Sequence, residues 1–343
     1  MAKNVLPSTA AQKTEPEKAR GRRAFWSNLA GILLRRREAS IIVVAILLVV
    51  YFQVSNQNFF TQANIRTISQ FAAATAIISA GEVMLLICGE IDLSVGMVFA
   101  FAPFIMYFTY QAGLPIWIGI IFGLLASAVV GLFNGLVTVL LKVPSFITTL
   151  GTLFLIEGLN LTISNGFPVL APVVGAFNQV FGNSPWSEII WAIAIAIVMQ
   201  VVLSFTKWGL HTVATGGNLL GASETGVNVN RIKIGNFMLC SVFGGFAGIL
   251  EGFRITSIDP LAGGTNIMFM AVAGAVIGGT SLMGGLGTIV GAFLGVLVLS
   301  ILFDGFTLLG VSAFTFDIIL GAAILIAMIL NVRLQLLREA GRQ

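Results

Sequence analysis

The stretch 115–141, PIWIGIIFGLLASAVVGLFNGLVTVLL, contains no charged residue and decides the fold. It is longer than the ~20 apolar residues that a helix needs to cross the hydrocarbon core of a bilayer. Other long apolar stretches recur on both sides of it. They are continuously apolar, whereas the strands of a membrane β-barrel alternate apolar and polar residues. The sequence therefore predicts an all-α fold, a polytopic transmembrane helical bundle.

The composition leads to the same class of protein. Hydrophobic residues make up 57% of the 343 residues and charged residues only 9%, and the mean hydropathy is +1.00. A soluble domain carries roughly 25% charged residues. The chain lacks the charges that solvate a globular surface, so one helical bundle is expected and not two soluble domains.

We predict about ten spans in a Gly-rich bundle with interrupted helices. They are 39–55, 67–87, 93–110, 115–141, 145–163, 188–206, 234–256, 267–283, 286–304 and 313–331. Many of the 39 glycines recur at four-residue spacing, as in Gly244/Gly248 and Gly274/Gly278. Small residues at this spacing let helix backbones approach closely. Close packing explains most of the pattern; helices that break or slide are the alternative.

The charged residues are concentrated outside the spans. The first forty residues hold nine Lys or Arg against three Glu, more positive charge than the net +4 of the whole chain. Residues 1–38 are predicted to be a basic cytoplasmic tail, partly disordered, with an interfacial helix at 24–34. The tail leads directly into a span, so no nucleic-acid partner is expected. By the positive-inside rule, the transmembrane domain 39–331 then has both termini, including the tail 332–343, in the cytoplasm.

Charges within the apolar stretches are few, and each costs ~2.5–3.5 kcal/mol near the bilayer centre. They are Glu82, Glu90, Asp92, Glu157, Glu251, Arg254 and Asp304, with Asp317 near a span end. Glu251 and Arg254 are three residues apart, and we predict a structural ion pair. Segment 89–96 contains two of these carboxylates where two spans meet. Turn capping by Asp92 and Ser94 and a polar break facing a transport path are both open interpretations.

No enzyme is expected. The sequence has no phosphate-binding loop of the Gly-x-x-x-x-Gly-Lys-Ser/Thr type. The single histidine, His211, and two cysteines in apolar runs, Cys88 and Cys240, provide neither a metal site nor a catalytic triad. We therefore expect no metal and no cofactor bound by this chain. The buried carboxylates leave one alternative, an ion-coupled carrier with Glu82, Glu157 or Asp304 as proton sites.

The cytoplasmic loop 207–233 carries helix signals. A Gly-Gly turn is predicted at 216–217, followed by Asn218 as an N-cap, a short helix to Thr225, and Gly226 as the residue that ends it. Such a short, weakly charged helix on the cytoplasmic face is either an ordinary solvated loop or a docking element that fits a cleft on a partner.

This loop resembles the coupling region of permease subunits of bacterial ABC sugar importers, the ribose/arabinose/xylose-type family related to branched-chain amino acid permeases. Three further stretches are similar to that family's pattern: 89–96 (GEIDLSVG), 143–151 (VPSFITTLG) and 278–287 (GGTSLMGGLG), and so is 228–233 (NVNRIK) at the end of the loop. Together they spread the resemblance over residues ~56–331. One departure is Glu90, where the ribose-type pattern usually has a second Gly.

The resemblance implies a permease subunit that translocates a sugar or polyol across a bacterial inner membrane. Its implied partners are an ABC ATP-binding subunit that holds ATP and Mg, an extracytoplasmic sugar-binding protein, and a second copy of the permease in a homodimer. The ATPase-coupling residues are Gly216, Gly217, Asn218, Leu219, Leu220, Gly221, Ala222, Ser223, Glu224, Thr225 and Gly226. The translocation-pathway candidates are Glu82, Glu90, Asp92, Ser94, Phe146, Thr148, Thr149, Glu157 and Asn160. A non-transporting membrane scaffold or receptor remains a further alternative.

Overall fold

The computed structural model describes residues 37–340. Within them the chain forms thirteen helices and one two-stranded ribbon. The helices are α1 (Arg37–Ser55), α2 (Gln62–Ile87), α3 (Val95–Gln111), α4 (Ile116–Leu140), α5 (Ser145–Ser164), α6 (Gly175–Asn178), α7 (Ser187–Phe205), α8 (Lys207–Gly217), α9 (Leu219–Glu224), α10 (Val229–Ile255), α11 (Gly264–Ile277), α12 (Ile289–Leu308) and α13 (Ala313–Ala340). Strand β1 (Val169–Leu170) pairs antiparallel with β2 (Ser257–Ile258). The predicted interfacial helix 24–34 lies outside the described residues.

The structure confirms an all-α bundle. Each of the ten predicted spans falls on a helix. In the described part of the chain, six helices are long and apolar enough to cross a membrane: α2, α4, α5, α7, α10 and α12. The apolar stretches in α1, α3, α11 and α13 are shorter. Several of the described helices can therefore cross a membrane, and the count of ten spans stays a prediction.

The predicted ends of two spans were wrong. The spans 267–283 and 286–304 were expected almost to meet, but α11 ends at Ile277 and α12 begins at Ile289. Between them Gly279 and Gly284 have φ values of +91° and +86°. This left-handed backbone region is open to glycine at little cost and interrupts a helix. Apolarity alone does not reveal such a break, because glycine is common inside membrane spans as well.

Helices α2–α5 and α10–α13 follow the same plan, in which a long helix is followed by a break and a short helix. The long helices have 26 and 27 residues, and the short ones, α3 and α11, have 17 and 14. Helices α2 and α10 lie side by side and antiparallel, because Gly81 packs on Cys240 while Gln70 and Arg254 line one cavity. Packing is reciprocal: α4 packs on α10, and α12 packs on α2. The second set of helices thus runs in the opposite direction to the first.

The two breaks also share sequence and local geometry. We call residues 88–94 the first break and 256–263 the second break. Ile91-Asp92 precedes Gly96 at the same spacing at which Ile258-Asp259 precedes Gly263. The Oδ1 atom of Asp92 accepts a hydrogen bond from the backbone N–H two residues later at 2.9 Å, and that of Asp259 does the same at 2.8 Å. The chain therefore uses one kind of aspartate turn twice, in opposite orientations.

Glycines at four-residue spacing form the helix contacts, as the sequence predicted. A Cβ atom added to Gly244 would collide with Val95, and one added to Gly248 would collide with the backbone carbonyl of Phe99. Gly274 of α11 and Gly278, the residue that follows α11, meet α12 in the same manner. Backbones approach this closely only where no side chain lies between them. Because lipid provides no hydrophobic drive, helices in a membrane associate through such close packing. The glycines therefore determine the separation between neighbouring helices.

This packing predicts that Gly248→Ala destabilises the bundle, because the new methyl group overlaps the Phe99 carbonyl. Overpacking of this kind costs about 1–3 kcal/mol. Gly151→Ala in α5 is the matched control, since its Cβ meets nothing within 4 Å. The free energy of unfolding in detergent measures both. Equal stability of the two variants would contradict the assignment of Gly248 to a backbone contact.

Candidate functional site

The connections between helices gather at two ends of the bundle. The α9 end holds α8, α9, the turn before α5 and segment 278–288. A hydrogen bond from Ile91 N to Ser145 Oγ (3.4 Å) joins the first break to the start of α5 at this end. Another, from Gly285 N to Ile87 O (2.8 Å), joins segment 278–288 to the end of α2. The opposite end holds the α1–α2 turn, the β ribbon and the second break. There Asn56 Nδ2 donates to the Leu308 carbonyl at 3.0 Å.

Helix α9 has the predicted caps. The Asn218 side chain accepts from Gly221 N at 2.9 Å. At the other end Gly226 has φ +88°, and hydrogen bonds from Gly226 N to Ser223 O and from Val227 N to Ala222 O (each 3.0 Å) complete a Schellman motif. These hydrogen bonds, all between residues close in sequence, define both ends of this short helix.

The predicted Gly-Gly turn at 216–217 was wrong. Gly216 and Gly217 are the last residues of α8, and the chain turns at Asn218. A Cβ on Gly216 would collide with the carbonyl of Ile87 and would also contact the amide of Gly285, whereas Gly217 has nothing within 4 Å. Gly216 is therefore needed for close approach and not for a turn, a distinction that sequence spacing does not make.

A buried asparagine attaches α8 to the two long helices. The side-chain amide of Asn236, in α10, donates to the Met84 carbonyl of α2 and to the Thr212 hydroxyl of α8, each at 3.2 Å. Its oxygen accepts from the Trp208 indole at 2.8 Å. Sequence reasoning missed this residue; the available signal was a neutral polar side chain within an apolar span.

The outer face of α9 is apolar and accessible. Leu219 and Leu220 are 49% and 74% exposed, and Leu210 of α8 is 66% exposed. Ala222 faces inward and is buried. Two exposed leucines on a capped helix form a small apolar surface that is held rigidly in place, which is suitable for contact with another protein.

The first break is built around a buried carboxylate. Asp92 accepts hydrogen bonds from Ser94 Oγ at 2.6 Å and from Ser241 Oγ at 3.2 Å. Asn134 of α4 donates to Ser94 Oγ at 2.8 Å, and Thr152 of α5 donates to Asn134 Oδ1 at 2.7 Å. The network joins the break to α4, α5 and α10. Turn capping is confirmed for Asp92, which accepts from Ser94 N, but it was wrong for Ser94, whose side chain makes no cap bond at the start of α3. The role of Asp92 in a pathway stays a prediction.

The predicted pathway residues of α5 lie on different faces of that helix. Thr148, Thr149 and Asn160 are buried, and Asn160 donates to the Met97 carbonyl at 3.1 Å. Phe146 is 56% exposed, and Glu157 is half-buried. The three buried side chains lie on the side of α5 that packs against α3 and α4, whereas Phe146 lies apart from these three.

The two remaining carboxylates take different partners. Glu82 is fully buried in α2 and accepts from the Cys240 thiol at 3.4 Å, while its Oε2 atom has no hydrogen-bond partner in the described residues. Glu90 forms an ion pair with Lys233 at 2.5 Å, which joins the first break to the start of α10. Cys88 and Cys240 are both buried and form no disulfide.

The opposite end contains a cavity of about 490 Å³ between α2, α3, α10, α11 and the second break. The predicted ion pair between Glu251 and Arg254 is confirmed at its edge, and Glu188 joins it with a carboxylate oxygen 3.3 Å from Arg254 Nε. None of the predicted pathway residues lines this cavity. Its carboxamide side chains Gln70 and Asn266 were not predicted, because the sequence does not show which polar side chains of a helix face a cavity.

Metal binding finds no support in the described residues. Across 37–340, no group of three or more His, Cys, Asp or Glu side chains is placed to hold a metal ion. The arrangement consists instead of a rigid apolar contact surface at one end, a cavity at the other, and two long helices between them.

The buried network predicts the cost of losing its central amide. Asn134→Leu removes one of the two acceptors of the Thr152 hydroxyl, which keeps the Thr148 carbonyl at 3.1 Å. It also removes the amide that donates to Ser94 and Asp92, so stability falls by about 1–3 kcal/mol. Ser127→Ala, on the same helix, is the control, because that buried hydroxyl bonds only to Gly123 O of its own helix. Denaturant unfolding in detergent compares them. A smaller loss for Asn134→Leu than for Ser127→Ala would show that the network is not structural.

Residues 64–328 match the protein family described as branched-chain amino acid transport system / permease component. The xylose/arabinose import permease protein XylH of Sulfolobus acidocaldarius is 40% identical over 306 residues, which cover 87% of this chain and 86% of XylH. The ribose import permease protein RbsC of Escherichia coli is 31% identical over 300 residues, 84% and 92% of the two chains. The autoinducer 2 import system permease protein LsrC of Photorhabdus laumondii is 31% identical over 310 residues, 89% and 92% of the two chains.

No solved structure matches the chain. The family match nevertheless spans both sets of repeated helices, both breaks and α9, and the relatives are similar over nearly their whole lengths. The chain belongs to the branched-chain amino acid transport system / permease component family, as a membrane-spanning permease subunit.

Proposed function

We propose that this chain is the permease subunit of an ATP-driven importer that carries a sugar or polyol. The relatives named above are import permeases for xylose/arabinose, ribose and autoinducer 2, which supports a small hydroxylated substrate. The observation that carries the proposal is α9, a capped helix with exposed leucines. It directly follows α8, whose Gly216 packs onto the end of α2. A helix so placed receives force from a partner and passes it into the bundle.

The α9 end faces the cytoplasm in this proposal. Four basic residues lie at or beside that end: Lys142, Lys207, Arg231 and Lys233. The positive-inside bias supports this orientation. The proposed location is the bacterial inner membrane. Ten spans with both termini in the cytoplasm are consistent with the helix order.

The partners follow from what the chain contains and lacks. It has no phosphate-binding loop, so ATP and Mg are bound by a separate ATP-binding subunit that docks on α9. An extracytoplasmic binding protein delivers the substrate to the opposite end. A second copy of the chain completes the pore as a homodimer.

Motion of α9 is transmitted by direct contacts. Gly216 packs on the Ile87 carbonyl, and Gly285 N donates to the same carbonyl. The first break begins one residue later, and the Glu90–Lys233 ion pair ties it to the start of α10. A displacement of α9 therefore shifts the ends of both long helices together, and the far end of α10 carries the second break. Rigid helices that move about a hinge are a common means of switching.

Coupling is predicted to depend on Gly216 and not on its neighbour. Gly216→Ala pushes α8 away from Ile87, so ATP hydrolysis continues while uptake falls at least about tenfold, which corresponds to 1.4 kcal/mol of lost coupling. Gly217→Ala, with open space around it, retains both activities. Uptake and hydrolysis are measured on the same proteoliposomes. Normal uptake by Gly216→Ala would remove α9 from the coupling path.

The function is tested by reconstitution of the chain alone and with its ATP-binding subunit and binding protein. Uptake of radiolabelled D-xylose or D-ribose is expected only with both partners and ATP. Uptake by the chain alone, driven by a pH gradient, would establish an ion-coupled carrier instead. Complete assembly with no uptake under any condition would favour a scaffold.

A further inference from the structure

The cavity at the opposite end lies where the two repeated halves meet. The first half contributes α2 and α3, and the second half contributes the end of α10, the second break and α11. Its volume of about 490 Å³ falls in the range of 300–1,000 Å³ that small-molecule sites occupy. In secondary transporters, which are also built from repeated halves, substrates bind where the halves meet and helices are discontinuous.

The polar groups of the cavity suit a ligand with hydroxyl groups. The carboxamides of Gln70 and Asn266 line it and make no hydrogen bond with other described residues. Each carboxamide offers two N–H donors and one acceptor oxygen, and a hydroxyl both donates and accepts. Asp259 also lines the cavity, and its Oδ1 atom accepts the hydrogen bond of the turn in the second break.

The aromatic groups supply the apolar part of such a site. Phe71 and Phe99 lie on the wall of the cavity, and Phe71 is held by stacking on Phe303 with ring centroids 4.6 Å apart. The face of an aromatic ring carries partial negative charge and attracts the positively polarised C–H groups of a sugar ring. Aromatic side chains beside the two carboxamides suit the mixture of C–H and hydroxyl groups on a sugar.

The charges of the cavity disfavour an anionic ligand. Arg254 is already paired with Glu188 and Glu251, and Asp259 adds a further carboxylate to the lining. A sugar phosphate or sugar acid would meet an excess of negative charge, which disfavours its binding.

We propose that this cavity binds an uncharged sugar or polyol as it enters the permease, through Gln70, Asn266, Asp259 and the rings of Phe71 and Phe99. The site rests on the proposed import function and supplies it with a place where the substrate first contacts this chain.

A cysteine probe tests the proposal directly. Leu261→Cys places a thiol on the cavity wall, and the native Cys88 and Cys240 are buried. The full chain in lipid nanodiscs is treated with a small water-soluble maleimide in the presence of D-ribose or D-xylose. Labelling slows by the factor 1 + [L]/Kd, about threefold when the sugar is at twice its Kd. Leu114→Cys, exposed outside the cavity, is the control and keeps its rate.

Variants identify the groups that bind. Gln70→Leu and Asn266→Leu abolish the protection of Leu261→Cys, whereas Gln111→Leu, which lies outside the cavity lining, preserves it. D-Ribose 5-phosphate gives no protection. Absence of protection by either sugar, or equal protection by the phosphate or at Leu114→Cys, overturns the proposed site.

The test separates this site from the import function. Sugar protection without ATP-dependent uptake would leave the site in place and remove the function. Uptake that is unaffected by Gln70→Leu and Asn266→Leu, with no protection in the parent probe, would leave the function and remove the site.

Discussion

Contact between helix backbones at glycine is the interaction on which the rest of the structure depends. α10 meets α3 at Gly244 and Gly248, and α11 meets α12 at Gly274 and Gly278. Because lipid is as apolar as a leucine side chain, these helices gain little from hiding apolar surface and must gain from close contact. These contacts fix the short helix α3 against α10 and the short helix α11 against α12. The breaks that precede the short helices are held in place as a result.

The long helix α10 connects the two functional ends. Near its start, Lys233 and Asn236 bind the first break and α8. At its far end, Arg254 lies at the cavity, and the second break follows. Under the proposed function, a substrate that arrives at one end and a partner that acts at the other therefore share one rigid element. This provides a physical basis for coupling between sites that do not touch.

The sequence predicts most of the helices and only part of the sites, for identifiable reasons. Apolarity locates spans, and Asn218 and Gly226 carry local cap signals, so α9 could be predicted residue by residue. Gly216 could not be interpreted, because its role is contact with Ile87, which is distant in sequence. Gln70, Asn236 and Asn266 were missed because a neutral amide in a helix can face a cavity, a neighbouring helix or solvent, and the sequence does not distinguish these surroundings. Which of them face a cavity and which face a neighbouring helix is decided by packing alone.

The opposite directions of the two halves depend on parity. Helices α2–α5 cross the bundle four times, so a second set placed directly after them would run the same way. Helix α7 begins beside Arg254 at the cavity end and finishes at α8. It adds one crossing, and this single odd crossing turns the second half over. Loss or gain of one crossing between Ser164 and Val229 would leave the helices of both halves unchanged and yet place both aspartate turns on the same side of the membrane.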